Sequence, residues 1–185
     1  MEFAKYKRQI NVSEYYKMAE VGILKRGEKL ELIQGEIIRK FPNSPRQASF
    51  TNRLNARLGK IIANEALLSI KHPLRIDEYN EPEPDIAVLA YREDYYSLSH
   101  PKANQVFFII ELAETSLNFD REIKAPLYAR AGIPVYWILD LKHENLEVYS
   151  NPQDGLYRRN DFKKNSDKVK IPGFDVEILV SDILT

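Results

Sequence analysis

The sequence predicts a mixed α/β fold, a central mixed β-sheet flanked by helices, and three observations carry that expectation. The run "QVFFIIEL" (105–112) is strongly β-forming and apolar enough to be buried on both faces. The next segment, "SLNFDREIKAPLYARAGI" (116–133), is helical in pattern and closes on Gly132 and Pro134. The run "VYWILDL" (135–141) then supplies a second apolar strand. Strand, helix and strand in that order make a crossover, so the two strands should be parallel neighbours joined right-handedly. The remaining strands read as antiparallel.

Taken in order, "VSEYYKMAEV" (12–21) reads as a short helix capped by Ser13. In "KLELIQGEIIRK" (29–40), alternating apolar residues flank Gln34 and Gly35, a hairpin signal that puts Glu31 and Glu36 on its two arms. From Pro45 to about Ser69 the apolar residues Leu54, Leu58, Ile61, Ile62 and Leu68 recur at a helical period, with Ser44 and Pro45 at the start. Arg46, Arg53, Arg57 and Lys60 fall together on a neighbouring face of that helix as a basic stripe. "PLRIDEY" (73–79) and "PDIAVLA" (84–90) read as strands joined by the proline-rich bend 80–84, and "REDYYSLSHPKAN" (92–104) as a polar excursion. Pro126 fits a helix only if that helix begins close before it, near Asn118 or Phe119. The tail, with "NPQDG" (151–155) as a turn, reads as short antiparallel strands ending in "GFDVEILV" (173–180).

Composition narrows the function. A chain of 185 residues, 44% hydrophobic and 29% charged, suits one domain spanning 1–185. Its 27 basic and 27 acidic residues cancel, so any nucleic-acid affinity must come from a local patch. With no cysteine there is no disulfide framework, thiolate zinc site or cysteine nucleophile. The histidines, His72, His100 and His143, are scattered and lack the spacing of a zinc protease motif. Seven glycines and no glycine-rich phosphate loop argue against a dinucleotide site. Neither an apolar leader segment nor a membrane-length run is present, so a cytoplasmic protein with no membrane partner is the expectation.

The stretch "EPEPDIAVL" (81–89) places Asp85 at the mouth of a core strand, held extended by Pro82 and Pro84. Glu111 ends the most apolar strand, so both carboxylates sit at strand termini of one sheet. A carboxylate there is costly unless hydrated, paired or bound to a cation. A divalent cation would satisfy both, and Mg²⁺ takes one or two carboxylates, a carbonyl and several waters, mostly on phosphate substrates. Lys124, on the first turns of the following helix, could orient water and stabilise phosphoryl charge. Asp, Glu and Lys together describe metal-assisted phosphodiester hydrolysis. Asp120 and Lys124 also fit a solvated i,i+4 pair worth only about 0.3–0.5 kcal/mol. The basic stripe fits a wet helix face or a phosphate-positioning surface, as does "RRNDFKK" (158–164).

"LELIQGEI", "EPDIAVL", "FFIIELAETS" and "DREIKAPLYARAGIPVYWILDL" occur in an order and spacing that resembles the Uma2-like family, itself similar to the wider PD-(D/E)XK nuclease superfamily. The resemblance spans roughly 12–149 and implies a restriction-endonuclease-like fold and a Mg²⁺-dependent (or Mn²⁺-dependent) endonuclease of DNA, more than RNA, acting as a homodimer. It implies Asp85 and Glu111 as metal-binding carboxylates, with the Leu112 carbonyl as a third metal contact. The superfamily pattern would put a lysine two positions after Glu111, where this chain has Ala113, and the resemblance assigns that role to Lys124. Glu31 matches an upstream acidic position that holds a water or a second metal. Relatives often carry a histidine where this chain has Gln47, which cannot exchange protons near neutral pH. On this reading Asp85→Ala or Lys124→Ala abolishes cleavage and leaves the fold intact. The second reading is a nuclease fold that binds DNA or a partner protein without cutting.

Overall fold

The computed structural model describes residues 6–40 and 42–184, so part of the amino-terminal stretch 1–10 lies outside it. Its element order is α1 (Val12–Glu20), β1 (Leu30–Ile33), β2 (Glu36–Arg39), α2 (Pro45–Ile62), β3 (Ala66–Ile70), β4 (Ile86–Ala90), β5 (Val106–Ala113), α3 (Leu117–Phe119), a π-helical turn (Asp120–Lys124), α4 (Ala125–Arg130), β6 (Val135–Asp140), β7 (Asn145–Gln153), β8 (Leu156–Lys163), β9 (Lys168–Lys170), β10 (Glu177–Leu179) and α5 (Ser181–Leu184). A six-stranded sheet runs β3-β4-β5-β6-β7-β8. Within it β5 and β6 are parallel, Ile110 opposite Trp137 and Leu112 opposite Leu139, and every other pair is antiparallel. β5 and β6 are thus the parallel neighbours that the sequence predicts.

Alternation along the strands sorts side chains to two faces. Ile86, Val88, Phe108, Ile110, Leu112, Trp137 and Leu139 pack on α2 and α5. Ala87, Leu89, Ile109, Tyr136 and Ile138 pack on the other face against α4 and the β1–β2 hairpin residue Ile33. The first turn of α2 begins as expected, with Ser44 capping it in a reciprocal capping box with Gln47 and Pro45 at the first position. The hairpin turn also matches: Gln34 and Gly35 both have positive φ (54° and 71°), and a Cβ on residue 35 would stand 2.6 Å from Gln9.

Four local expectations are corrected. Asn11, not Ser13, caps α1, because its side chain accepts the Glu14 N–H while Glu14 returns a bond to the Asn11 N–H. The long helix stops at Ile62 instead of reaching Ser69; Ala63 turns the chain at φ 42°, and 66–70 becomes edge strand β3. Leu68 fitted the helical count, yet it pairs with Val88 across the sheet. "PLRIDEY" is no strand: it holds only an isolated bridge from Arg75 to Lys102. The "NPQDG" turn is narrower than expected, since β7 continues to Gln153 and only Asp154 and Gly155 turn, at φ 51° and 76°.

The helix after β5 is not uniform. Its central turn is π-helical, with Ala125 N–H bonded back to Asp120 O. Pro126, at the start of α4, has no N–H to give and its ring would crowd the carbonyl four residues back. A wider turn before it relieves both problems. The consequence is that Asp120 and Lys124 face inward, 2% and 3% exposed, so the solvated pair is excluded.

Candidate active site at the ends of the central strands

Asp85 leads directly into β4, and Glu111 stands one step beyond the Ile86–Ile110 pairing on β5. Alternation puts both on the face that carries α4, with Ala87 and Ile109. Their backbones brace each other. The Asp85 N–H donates to Glu111 Oε2 at 3.2 Å, and the Leu112 N–H donates to Asp85 Oδ2 at 2.9 Å.

The π-helical turn delivers Lys124 to the same place. Its Nζ donates to Glu111 Oε1 at 2.9 Å and stands 3.4 Å from Glu31 Oε2. Glu31, on β1, is 2% exposed and accepts the Glu83 N–H at 3.0 Å, so the hairpin is pinned to the segment that leads into Asp85. Two carboxylates predicted from separate parts of the sequence, Glu31 and Glu111, therefore meet one buried ammonium, and the third, Asp85, is joined to them through its backbone bond to Glu111. Tyr128 adds a hydroxyl to Glu111 Oε1 at 3.2 Å.

Charges here shift one another in readable directions. Burial raises the Asp85 carboxyl above its ordinary value, and Glu111 raises it further, against the pull of the Leu112 N–H. Burial also acts to raise Glu111, but the Lys124 and Lys40 ammoniums outweigh it and hold Glu111 below the usual range. Burial acts to lower Lys124; Glu111 and Glu31 outweigh that and hold it well above the ordinary lysine value. Asp120 is pushed up to about 7, first by burial and then by the Glu111 charge, while Ser116 donates a hydroxyl to it at 2.6 Å.

Two further lysines and a glutamine close the site. Lys71 Nζ lies 3.8 Å from Asp85 Oδ1 at the solvent side. Lys40, at the end of the hairpin, donates to the Glu83 carbonyl. Gln47 reaches across from α2: its Nε2 donates to the Leu112 carbonyl at 3.0 Å, while its Oε1 accepts the Ser44 N–H at 3.1 Å. The glutamine that departs from the family pattern thus holds the carbonyl expected to face a metal. Nothing local in the sequence signals this bond, which spans 65 residues. Lys40, Lys71 and Tyr128 were likewise missed, as each reads alone as an ordinary strand-end or helix residue.

Among the described residues no three or more His, Asp or Glu side chains form a ready metal cage. Asp85, Glu111 and the Leu112 carbonyl are all oxygen donors, and two carboxylates with a carbonyl suit Mg²⁺, which keeps much of its water. The raised Asp85 carboxyl is also what a second positive charge would relieve. These residues fit the ion.

The predicted basic stripe is largely spoken for. Arg46 pairs with Glu144 and Arg57 with Asp182, each at 3.3 Å, and Arg46 and Arg53 lie over the Phe50 ring. In the second basic run, on β8, Arg158 pairs with Asp154 and Arg159 with Asp161. No helix among the described residues is long and apolar enough to cross a membrane.

The family profile Uma2, described as "Putative restriction endonuclease", matches residues 12–181. A crystal structure from Anabaena variabilis, described as "a putative nuclease belonging to DUF820", aligns at a TM-score of 0.74 with 16% identity, covering 95% of this chain and 97% of that one. At that identity the likeness shows a shared fold. No curated protein matches the sequence.

Proposed function

The chain belongs to the Uma2 family, and from that premise we propose that it hydrolyses phosphodiester bonds of nucleic acid, DNA in preference to RNA, with Mg²⁺ or Mn²⁺. The observation that carries this reading is the cluster in which Glu31 and Glu111 meet Lys124 while Asp85 and Glu111 are cross-linked through backbone N–H groups. Asp85, Glu111 and the Leu112 carbonyl would hold the ion. When bound, it supplies Lewis acidity to a phosphoryl oxygen.

The protein's own groups define the remaining roles. Lys124 is held protonated, so it acts as a hydrogen-bond donor and a fixed positive charge and cannot take a proton near neutral pH. Glu111 stays ionised beside it, available to accept a bond or ligate. Gln47 fixes the direction of the Leu112 carbonyl from α2, a positioning role that needs no titration. Glu31 restrains Lys124 and ties the hairpin to the approach to Asp85.

The test is calorimetric titration of Mn²⁺ into the wild type and Asp85→Asn, followed by cleavage assays on DNA and RNA. Saturable binding and metal-dependent cleavage, both lost in the variant, are expected. A folded wild type that binds DNA but neither binds Mn²⁺ nor cuts would support the non-cutting module instead. A homodimer belongs to the proposed reading and is checked by sedimentation velocity.

A further inference from the structure

Two adjoining cavities form a groove beside the α1 residue Tyr16, and nothing in the proposed chemistry uses it. At its outer end a cavity of about 560 Å³ is lined by Tyr16, Arg75, Asp77, His100 and Lys102. The Tyr16 and His100 rings lie near-parallel, 19° apart in plane and 6.4 Å between centroids. Both are exposed, Tyr16 by 41%, so they are not a core pair. Tyr16 is nevertheless held rigidly. Its hydroxyl donates at 2.5 Å to Glu81, whose side chain is only 1% exposed and which also accepts Arg75 Nε at 2.6 Å. The bridge between residues 75 and 102 sets their two cationic side chains next to each other.

The acidic groups of this cavity are already engaged. Asp77 accepts from the Asn80 amide and the Tyr79 N–H, and Glu81 is taken by Tyr16 and Arg75. An adjoining cavity of about 410 Å³ shares Tyr16 and adds Tyr15, Lys25, Arg26, Glu28, Glu81 and Glu83. Glu83 is the residue whose N–H bonds Glu31, and the four residue steps from Glu81 to Asp85 span at most about 13–14 Å. The two cavities therefore join a preorganised aromatic pair and cationic side chains to Glu83, two residues before Asp85 in the chain.

We propose that this groove is a subsite for an unpaired stretch of nucleic acid, a base stacking at Tyr16 and His100 and its phosphates meeting Arg75 and Lys102. Stacking platforms beside a cationic track are what bind single strands without reading sequence. The idea deepens the nuclease reading by naming the form of substrate near the cut.

The test is fluorescence anisotropy of the full chain in EDTA with labelled oligo(dT), oligo(rU) and a duplex of equal length. The unpaired probes should bind more tightly than the duplex, and the ratio of oligo(dT) to oligo(rU) identifies the preferred sugar. Tyr16→Leu and His100→Ala should each weaken binding about tenfold, with Tyr16→Phe closer to the wild type. Lys102→Ala should flatten the salt dependence by about 0.7 in log–log slope. Equal binding of duplex, or wild-type binding by both Tyr16→Leu and His100→Ala, overturns the subsite; His100 is exposed, so its replacement leaves folding aside. Binding through these residues with no metal-dependent cleavage of any probe would sink the nuclease reading and leave the subsite standing.

Discussion

Replacing Lys124 by Met is the sharpest test of the buried centre. The ammonium is 4% exposed in its side chain, 2.9 Å from Glu111 and 3.4 Å from Glu31, whose side chains are similarly enclosed. Removing it keeps the volume nearly constant and leaves two carboxylates facing each other without their shared counter-ion. Breaking a buried pair in this way costs about 3–5 kcal/mol. For a chain of this size each kcal/mol moves the melting temperature by about 2–4 °C, so a fall of roughly 6–20 °C is expected. The burial of Lys124 thus revises the expectation that its removal spares the fold, and a lost activity in this variant must be read beside its stability.

The assay is urea unfolding in EDTA of the wild type, Lys124→Met, Glu111→Gln and the double variant. Glu111→Gln alone should cost less than Lys124→Met, because Glu31 still faces the ammonium. In the double variant the two losses should overlap, giving a coupling energy of about 2 kcal/mol or more. Adding Mg²⁺ should restore more stability to Lys124→Met than to the wild type, since binding to the native state alone stabilises it by mass action. Additive losses within about 0.5 kcal/mol would refute the reasoning, as independent sites add to that accuracy.

Three other expectations can be checked on the same apparatus. Asp120 has a folded pKa of about 7 against an ordinary 3.8, so the wild type should lose stability as pH rises from about 4 to 7, by about 4 kcal/mol; Asp120→Asn should remove that slope and be the more stable protein above pH 7, and an unchanged slope would dismiss it. Gln47→Ala removes half of a capping box and the bond to the Leu112 carbonyl, which together should cost about 2 kcal/mol and weaken Mn²⁺ binding in calorimetry; unaltered metal affinity would end the positioning role. Arg121→Met should cost about 2–3 kcal/mol in urea, because it leaves the fully buried Glu147 with only the Tyr149 hydroxyl at 2.8 Å; a change under about 0.5 kcal/mol would show that the pair contributes nothing.

What the sequence discloses and conceals divides along the range of the interaction involved. The crossover from β5 to β6 and the hairpin around Gln34 and Gly35 are written in period and turn chemistry, both local, and both are found. Asp85 and Glu111 were legible as a pair because one opens an apolar strand and the other stands near the end of one, where a carboxylate is costly. Leu68 misled because a single apolar residue fits a helical and a strand period equally, and only its partner Val88 decides. Glu31 looked like an optional hairpin residue, since its burial depends on Glu83 and Lys124, 52 and 93 positions away. The spacing of Asp120 and Lys124 is also that of a surface pair. Pro126 widens the turn before it, and that backbone event turns both side chains into the core.

The charge arrangement also bears on why this centre can exist before any ion arrives. Three converging carboxylates would destabilise the strand ends if each were left to water alone, yet the fold gives each a specific partner. Lys124 answers Glu111 and Glu31, Lys71 stands near Asp85, and two backbone N–H groups cross-link the Asp85 and Glu111 strands. Asp85 is nonetheless the member left with a raised carboxyl, because burial and then the neighbouring Glu111 charge push it up, and its nearest cation stands 3.8 Å away. A positive charge entering the site therefore gains most at Asp85 and least at Glu111, which is already matched. Asp85→Asn should on that account stabilise the metal-free protein or leave it unchanged while removing Mn²⁺ binding. A variant that instead unfolds more readily in EDTA would show that Asp85 supports the fold rather than awaiting a cation.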